Sequence, residues 1–479
     1  MRWHVGEIAR ILGASFGEPG PIVQGYSIDS RRVRPGDIFF AIRGRRLDGH
    51  EFVKPALQSG AVAAVVEQSF EQRIAPSVAR ALIPVRDTTL ALHVLAREAR
   101  RRWGKKVVAI TGSTGKTTTK EMVSTLLAAR YRVLKSPGNF NNDYGLPLTL
   151  LGLENRHDVA VVELAMSAAG EIARLARVAE PEVGVVTNVG PVHLQYFKSV
   201  DDIALAKREL IENLTNPYGP TVAVLNHDDP RVKKFADGYR GRAVTFGRHE
   251  GADFVASEIL PAGEGTTFRV KGPSLNAMFH VNLPGEHHVE NATAAIAVSS
   301  LFEIPAEQMV TALHSFKNLP GRSEILTLPG EITVLNDCYN SNPRAMEKML
   351  DTLAAWKQAR RRILVAGEML ELGPASAEWH RSIGQKCLAS GVDWIVAVQG
   401  EARFFLEGAR ERGFAPSHLR FFETAQEAAE FCRSLVREGD VVLVKGSRDV
   451  RLEAVIDTLR NSRPEAPPAP QHASTERNE

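Results

Sequence analysis

The stretch from Val107 to Tyr131 constrains the fold more than any other. Val107-Val108-Ala109-Ile110 is a short apolar run that reads as a buried strand. Thr111-Gly112-Ser113-Thr114-Gly115-Lys116-Thr117-Thr118 follows as a glycine-rich turn, and the periodicity predicts a helix over 116–131. A strand that turns directly into a helix belongs to a parallel α/β sheet. Apolar runs at 159–164, 183–187 and 222–225, with helical segments between them, extend that sheet into a doubly wound one.

The flanking sequence has a different texture. In residues 1–103, Ile8, Ile11 and Leu12 lie at helical spacing, and runs at 37–42 and 61–66 read as strands. A helix over 88–103 ends in Arg100-Arg101-Arg102, which reads as a solvated helix end beside a linker. Residues 250–283 read as hairpins, with turns at Gly263-Glu264-Gly265 and Lys271-Gly272-Pro273, before an alanine-rich helix over 290–302. From about Gly321 a second α/β sheet of Rossmann-like size is expected, with strands at 363–366, 394–398 and 441–444. The expected division is 1–103, 104–318 and 319–460, with 461–479 as a disordered tail. That tail holds four prolines and no aliphatic side chain larger than alanine. The length of 479 residues suits three α/β domains.

Composition narrows the function classes. Lys plus Arg is 59 against 56 for Asp plus Glu, a net charge of +3, so a strongly basic nucleic-acid surface is not indicated. Cys338, Cys387 and Cys432 are too few and scattered for a disulfide framework or a structural zinc site. No apolar run has the length of a membrane span, and the first residues lack the apolar core of a signal peptide. A cytoplasmic protein without membrane insertion is expected.

The glycine-rich turn is where chemistry is expected. Gly112, Ser113, Thr114 and Gly115 would curl backbone N–H groups around a phosphate at a helix N-terminus. Lys116 would reach the outer phosphates, Thr117 would face Mg²⁺, and Thr118 would complete the cradle. The loop is shorter than the usual phosphate loop, since Ile110 stands where the first glycine belongs. The segment Leu225-Asn226-His227-Asp228-Asp229-Pro230 does not match a guanine-reading motif, so ATP is the expected nucleotide.

This loop and several later segments resemble the Mur ligase family of ATP-dependent amide ligases. The segments are Asp29 to Phe39, Asp48-Gly49-His50, Gly138 to Pro147, Glu163, Thr187 to Leu194, Lys207, Gly285 to Ala292, Leu319-Pro320-Gly321-Arg322 and Asn336 to Pro343. Ala366 to Gly373 with His380, and Val444-Lys445-Gly446-Ser447-Arg448, are similar to the third domain of the branch that adds a dipeptide. The resemblance implies that D-alanyl-D-alanine is joined to UDP-N-acetylmuramoyl-tripeptide through an acyl phosphate, by a monomer. It implies Ser30, Arg31, Asp48, Gly49 and His50 near UDP, and Asn141 and Asn142 on substrate. It places Glu163, His193, Thr117 and a carbamylated Lys207 on Mg²⁺, Asn291 on adenine, Arg322 on the γ-phosphate and Asp337 on ribose. Two rivals stay open on sequence alone. One is another amide ligase of the superfamily, such as a tripeptide-forming ligase or a folylpolyglutamate synthase. The other is a nucleotide-binding scaffold without catalysis.

Overall fold

The computed structural model describes residues 3–17, 19–44, 46–71, 79–216, 219–262, 264–317 and 319–462. The chain falls into two compact units, residues 1–282 with 286–317, and residues 283–285 with 318–479.

The first unit holds two sheets. The smaller has four parallel strands in the order Gly25–Ser27, Asp37–Phe40, Ala63–Glu67, Leu82–Val85. The larger has nine. Its parallel part runs Arg242–Gly247, Val222–Asn226, Val183–Val186, Lys106–Thr111, Val159–Glu163, Val133–Lys135. Phe254–Ala262 pairs parallel with Arg242–Gly247 and then antiparallel with Gly265–Gly272, which pairs with Leu275–Val281. The expected hairpins are therefore an extension of the central sheet. Between Val159–Glu163 and Val183–Val186 the chain crosses from one side of Lys106–Thr111 to the other. Ligands of doubly wound sheets bind outside the carboxyl ends of the strands at such a switch point.

The second unit has one sheet, in the order Glu324–Leu328, Ile332–Asp337, Asp440–Lys445, Arg361–Gly367, Trp394–Val398, Leu419–Phe422. Only the first pair is antiparallel. Buried aliphatic residues cover both faces, as a parallel sheet flanked by helices requires. Cys338, Cys387 and Cys432 are free and buried, and burial pushes each thiol up to about 12.

Several expectations change. The strand expected over 37–42 stops at Phe40. The helix expected to Tyr131 ends at Leu127, after which Ala129 and Arg130 donate to the carbonyls three residues back in a tightening turn. The basic run is solvated at Arg101 and Arg102 but not at Arg100. Arg100 is only 5% exposed and donates to the carbonyls of Ala179 and Glu180 and to the Glu182 carboxylate at 2.6 Å. Glu182 in turn accepts from the Val107 N–H at 2.7 Å. The helix Thr88–Trp103 is thus bonded to the amino ends of interior strands of the central sheet. The helix Glu453–Asn461 takes up the first residue of the expected tail, and 463–479 lie outside the described residues.

Candidate active site

The carboxyl end of Lys106–Thr111 opens into the phosphate loop. Gly112 (φ +150°) and Gly115 (φ +79°) are required by close approach as much as by backbone conformation. A Cβ on Gly112 would lie 1.9 Å from Thr187 Oγ1, and one on Gly115 would lie 2.3 Å from Asn291 Oδ1. Asn291, on the helix Glu286–Leu301, therefore sits directly against the loop and also accepts from Thr119 Oγ1 at 3.3 Å. The Lys116 ammonium donates to the Gly112 carbonyl at 2.8 Å and to that of Ser113 at 3.3 Å. Thr118 is buried in the first turn of the helix Lys116–Leu127.

The neighbouring strand braces the loop through residues the sequence reading did not single out. Asn188 Oδ1 accepts from the Thr114 N–H and hydroxyl, both at 3.0 Å, and its amide donates to the Thr114 carbonyl at 3.2 Å. Thr187 Oγ1 donates to the same carbonyl at 2.6 Å. Ser113 Oγ donates to the Gly190 carbonyl at 3.2 Å, and Asp229 accepts from the Val189 N–H at 2.8 Å. A signal existed: Thr187-Asn188 directly follows a buried strand, where polar groups of a parallel sheet meet ligands.

Beside the loop stands a buried carboxylate. Glu163 ends its strand and is 2% exposed. Its Oε2 accepts from Thr117 Oγ1 at 2.8 Å and its Oε1 from Asn141 Nδ2 at 2.8 Å. Asn142 is exposed and its Oδ1 accepts from the N–H groups of Tyr144 and Gly145, turning the chain toward the next helix. These are hard oxygen donors of the type a small divalent cation takes, and they fit Mg²⁺. No cluster of three or more His, Cys, Asp or Glu occurs among the described residues.

Lys207, on the helix Val200–Glu212, is 2% exposed. Burial pushes its ammonium well below the usual lysine range, and the charge of Lys116 pushes the same way. His193 lies in the loop after Val183–Val186 with φ +56°, a strained conformation for a residue other than glycine, and its carbonyl accepts from the N–H groups of Tyr196 and Phe197.

The small sheet places the expected uridine residues at its strand ends. Asp29 caps a short 3₁₀ turn over Ser30–Arg32 and takes two further bonds from the Arg31 guanidinium, 87% of which is exposed. Asp48 caps Gly49–Phe52 and accepts from His50 Nδ1 at 2.6 Å. His50 is buried, and its Nε2 accepts from the Glu67 N–H at 2.9 Å. Both ring nitrogens are thus engaged by protein, so any help His50 gives to a ligand comes through the position of Asp48. Gly49 has no room for a side chain, since a Cβ would lie 2.6 Å from the Ile42 backbone.

In the second unit, Asp337 ends its strand opposite Lys445, its register partner on Asp440–Lys445. Lys445, 2% exposed, donates to Asp337 Oδ2 and to the Asn340 carbonyl at 3.0 Å, while Asp337 Oδ1 accepts from the Ser323 N–H at 2.8 Å. The Arg322 guanidinium stands 4.1 Å from the centre of the Tyr339 ring, and Arg448 stands 5.5 Å from it. His380 is buried. Its Nε2 accepts from the Met369 N–H at 2.9 Å and its Nδ1 donates to the Ser376 carbonyl at 2.8 Å. Burial pulls its pKa down to about 4.

A doubly wound sheet with a glycine-rich loop at its switch point, and a buried carboxylate touching the loop's threonine, defines a nucleoside-triphosphate-binding α/β protein. Comparison with known proteins carries this further. Residues 22–100 match the Mur ligase family catalytic domain, 110–299 the Mur ligase middle domain and 321–448 the Mur ligase glutamate ligase domain. The chain belongs to the Mur ligase family. It is 32% identical over 461 residues to the UDP-N-acetylmuramoyl-tripeptide–D-alanyl-D-alanine ligase of Bacillus subtilis (strain 168), covering 96% of this chain and 98% of that one. A crystal structure of MurF from Acinetobacter baumannii superposes with a TM-score of 0.86 at 30% identity, covering 96% of this chain and 99% of that one. MurF ligase from Thermotoga maritima in complex with ADP superposes with a TM-score of 0.81 at 30% identity, covering 92% and 98%.

Proposed function

We propose that this chain is an ATP-dependent amide ligase that joins D-alanyl-D-alanine to UDP-N-acetylmuramoyl-tripeptide, giving the pentapeptide precursor of peptidoglycan. The observation that carries the reading is the convergence of Lys116, Thr117, Glu163 and Lys207 at the carboxyl end of the central sheet, in a chain similar over nearly its whole length to ligases of this name. The tripeptide's free carboxylate attacks the γ-phosphate of ATP, ADP leaves, and an acyl phosphate forms. The dipeptide amine, after losing a proton, attacks the acyl carbon, and phosphate departs. Carboxylate and triphosphate repel each other, so the protein's main task is neutralisation and alignment.

Lys116 supplies positive charge at the outer phosphates, and Gly112 to Gly115 supply backbone donors. Thr117, Glu163, His193 and Lys207 would hold Mg²⁺, which would add charge neutralisation at the phosphates. Lys207 fits that set as its carbamate: the neutral amine adds to CO₂ and loses a proton, which turns a repelled cation into an oxygen ligand. Asn291 serves adenine, Arg322 the γ-phosphate and Asp337 the ribose. Ser30, Arg31, Asp48, Gly49, His50, Asn141 and Asn142 serve the UDP substrate, with the roles of His50 and Asn142 indirect as described. Three functional domains, 1–103, 104–318 and 319–460, accord with this division of labour. We place the enzyme in the cytoplasm, where ATP is supplied, as a monomer. No described helix is long and apolar enough to cross a membrane.

Mass spectrometry of a reaction with UDP-tripeptide, ATP and D-alanyl-D-alanine tests the reading. The expected result is the pentapeptide with equimolar ADP and phosphate, and a Lys116→Ala enzyme slower by about 10²–10³-fold. Pentapeptide formation by Lys116→Ala at the normal rate would remove the phosphate-loop assignment. Extension of a folate in place of the UDP-tripeptide would move the chain to another branch.

A further inference from the structure

We propose that Lys120 is the positioning residue that holds the asparagine-rich loop, and through it Asn141 and Glu163, in register with the phosphate loop. This deepens the ligase reading above and rests on it.

Lys120 lies three residues after Thr117 on the helix Lys116–Leu127, so the two side chains leave the same face. Both are buried, and Lys120 is 0% exposed. Thr117 reaches the end of its neighbouring strand at Glu163. Lys120 reaches the root of the loop that follows Val133–Lys135. Its ammonium donates to the Ser136 carbonyl at 2.7 Å and to that of Gly138 at 3.4 Å, and meets Glu121 Oε1 at 2.9 Å. All three ammonium protons therefore have acceptors. Glu121 is bonded on its other side by Lys135.

The loop is tied at its far end as well. Asn141 Nδ2 donates to Glu163 Oε1, and the Asn141 carbonyl accepts from the Ala165 N–H at 2.9 Å. Ser136 bridges the two ends. Its N–H donates to the Val161 carbonyl at 3.1 Å and its hydroxyl accepts from the Glu163 N–H at 3.4 Å. The bonds form a closed circuit: Thr117, Glu163, Asn141, the loop, Ser136, Lys120, and back along one helix turn to Thr117. Packing alone does not call for an ammonium here. A methionine would fill the space without taking a charge out of water. What the charge adds is a fixed direction for two loop carbonyls. The sequence shows only a lysine in a helix, because the partners lie 16 and 18 residues further on.

The test uses the full chain with Lys120→Met and Lys120→Arg. Mn²⁺ affinity of the ADP complex is read from the free Mn²⁺ signal by electron paramagnetic resonance. ADP affinity is read in the absence of divalent ions, and hydrogen exchange is read across residues 136–144. Residues that orient metal ligands typically change metal affinity about 10–100-fold. Lys120→Met is expected to weaken Mn²⁺ binding about tenfold or more and to speed exchange in 136–144, with metal-free ADP affinity within about twofold. Lys120→Arg keeps donors but in a rigid fork, and is expected to recover part of the loss. Should Lys120→Met not fold, Lys120→Gln, which also removes the ammonium, decides in its place: wild-type Mn²⁺ affinity and wild-type exchange in that variant overturn the proposal. The same result in Lys120→Met overturns it equally. A wild-type enzyme that binds Mn²⁺–ADP but makes no pentapeptide overturns the ligase reading and leaves the role of Lys120 in the loop standing.

Discussion

Two buried lysines, one in each compact unit, are handled in opposite ways. Lys445 meets a carboxylate and a carbonyl, Asp337 and Asn340, and its register partner across the strands is that same carboxylate. For Lys207 both influences run the other way: burial, and then the charge of Lys116, push its ammonium well below the usual lysine range. The first arrangement makes a fixed ion pair. The second favours the uncharged amine, which is the nucleophilic form. The surroundings, not the residue type, decide whether a buried lysine is a strut or a reagent.

The largest effect that would break this comparison is on chemistry. Lys207→Ala should lose at least about a hundredfold in ligation while still binding ATP, since it removes a metal-positioning group. Small carboxylic acids should restore part of the rate. In ¹³C-bicarbonate the wild-type enzyme should show a carbamate resonance that the variant lacks. A fully active Lys207→Ala enzyme would make Lys207 an ordinary buried lysine.

The next effect is on stability. Lys445→Met strands Asp337 and should cost about 3–5 kcal/mol in denaturant unfolding, whereas Lys207→Met should cost little or raise the midpoint. The double variant Lys445→Met with Asp337→Leu should recover most of the loss. Equal losses from the two single variants would erase the distinction.

The smallest effect is a pH dependence in the same second unit. His380 is buried neutral, with a folded pKa of about 4 against an ordinary value near 6.5. The unfolded chain takes up a proton first as pH falls, so the contribution of neutral His380 is complete above about 6.5 and is lost on descent to about 4. The full swing is on the order of 3 kcal/mol. The stability advantage of wild type over His380→Gln should shrink across that window, measured by urea unfolding at stepped pH. An advantage that is flat from pH 7 to pH 4 would show that burial does not hold the ring neutral.

What was legible in the sequence is what depends on neighbours along the chain. The phosphate loop could be read because its glycines, lysine and threonine are contiguous and follow a buried strand. Glu163 could be read because it closes an apolar run. Asp229 and Lys120 could not be singled out without the fold, since their bonds run to other strands and loops. The resemblance supplied His193 and Lys207, which spacing alone would have left as surface residues. Among the strands, Gly25–Ser27 and Val133–Lys135 are three residues long, too short for alternation to show. Arg242–Gly247 begins with two exposed residues and does not read as a buried run. The boundary expected at 103/104 followed a change of texture from basic to apolar. Beside that boundary Arg100 is buried and bonded across it.

Arg100 has a consequence for how the molecule comes apart. The apolar core on which its helix sits runs without interruption from Trp3 to Phe235, through Leu92 and Leu95 to Val107 and Ala109. A guanidinium bonded to two carbonyls and a carboxylate inside that continuous core ties the small sheet to the large one. The small sheet and the central sheet should therefore melt in one transition. A fragment cut at residue 103 would carry away a charge whose hydrogen-bond acceptors all lie beyond the cut, and would expose the apolar side of its last helix as a sticky surface.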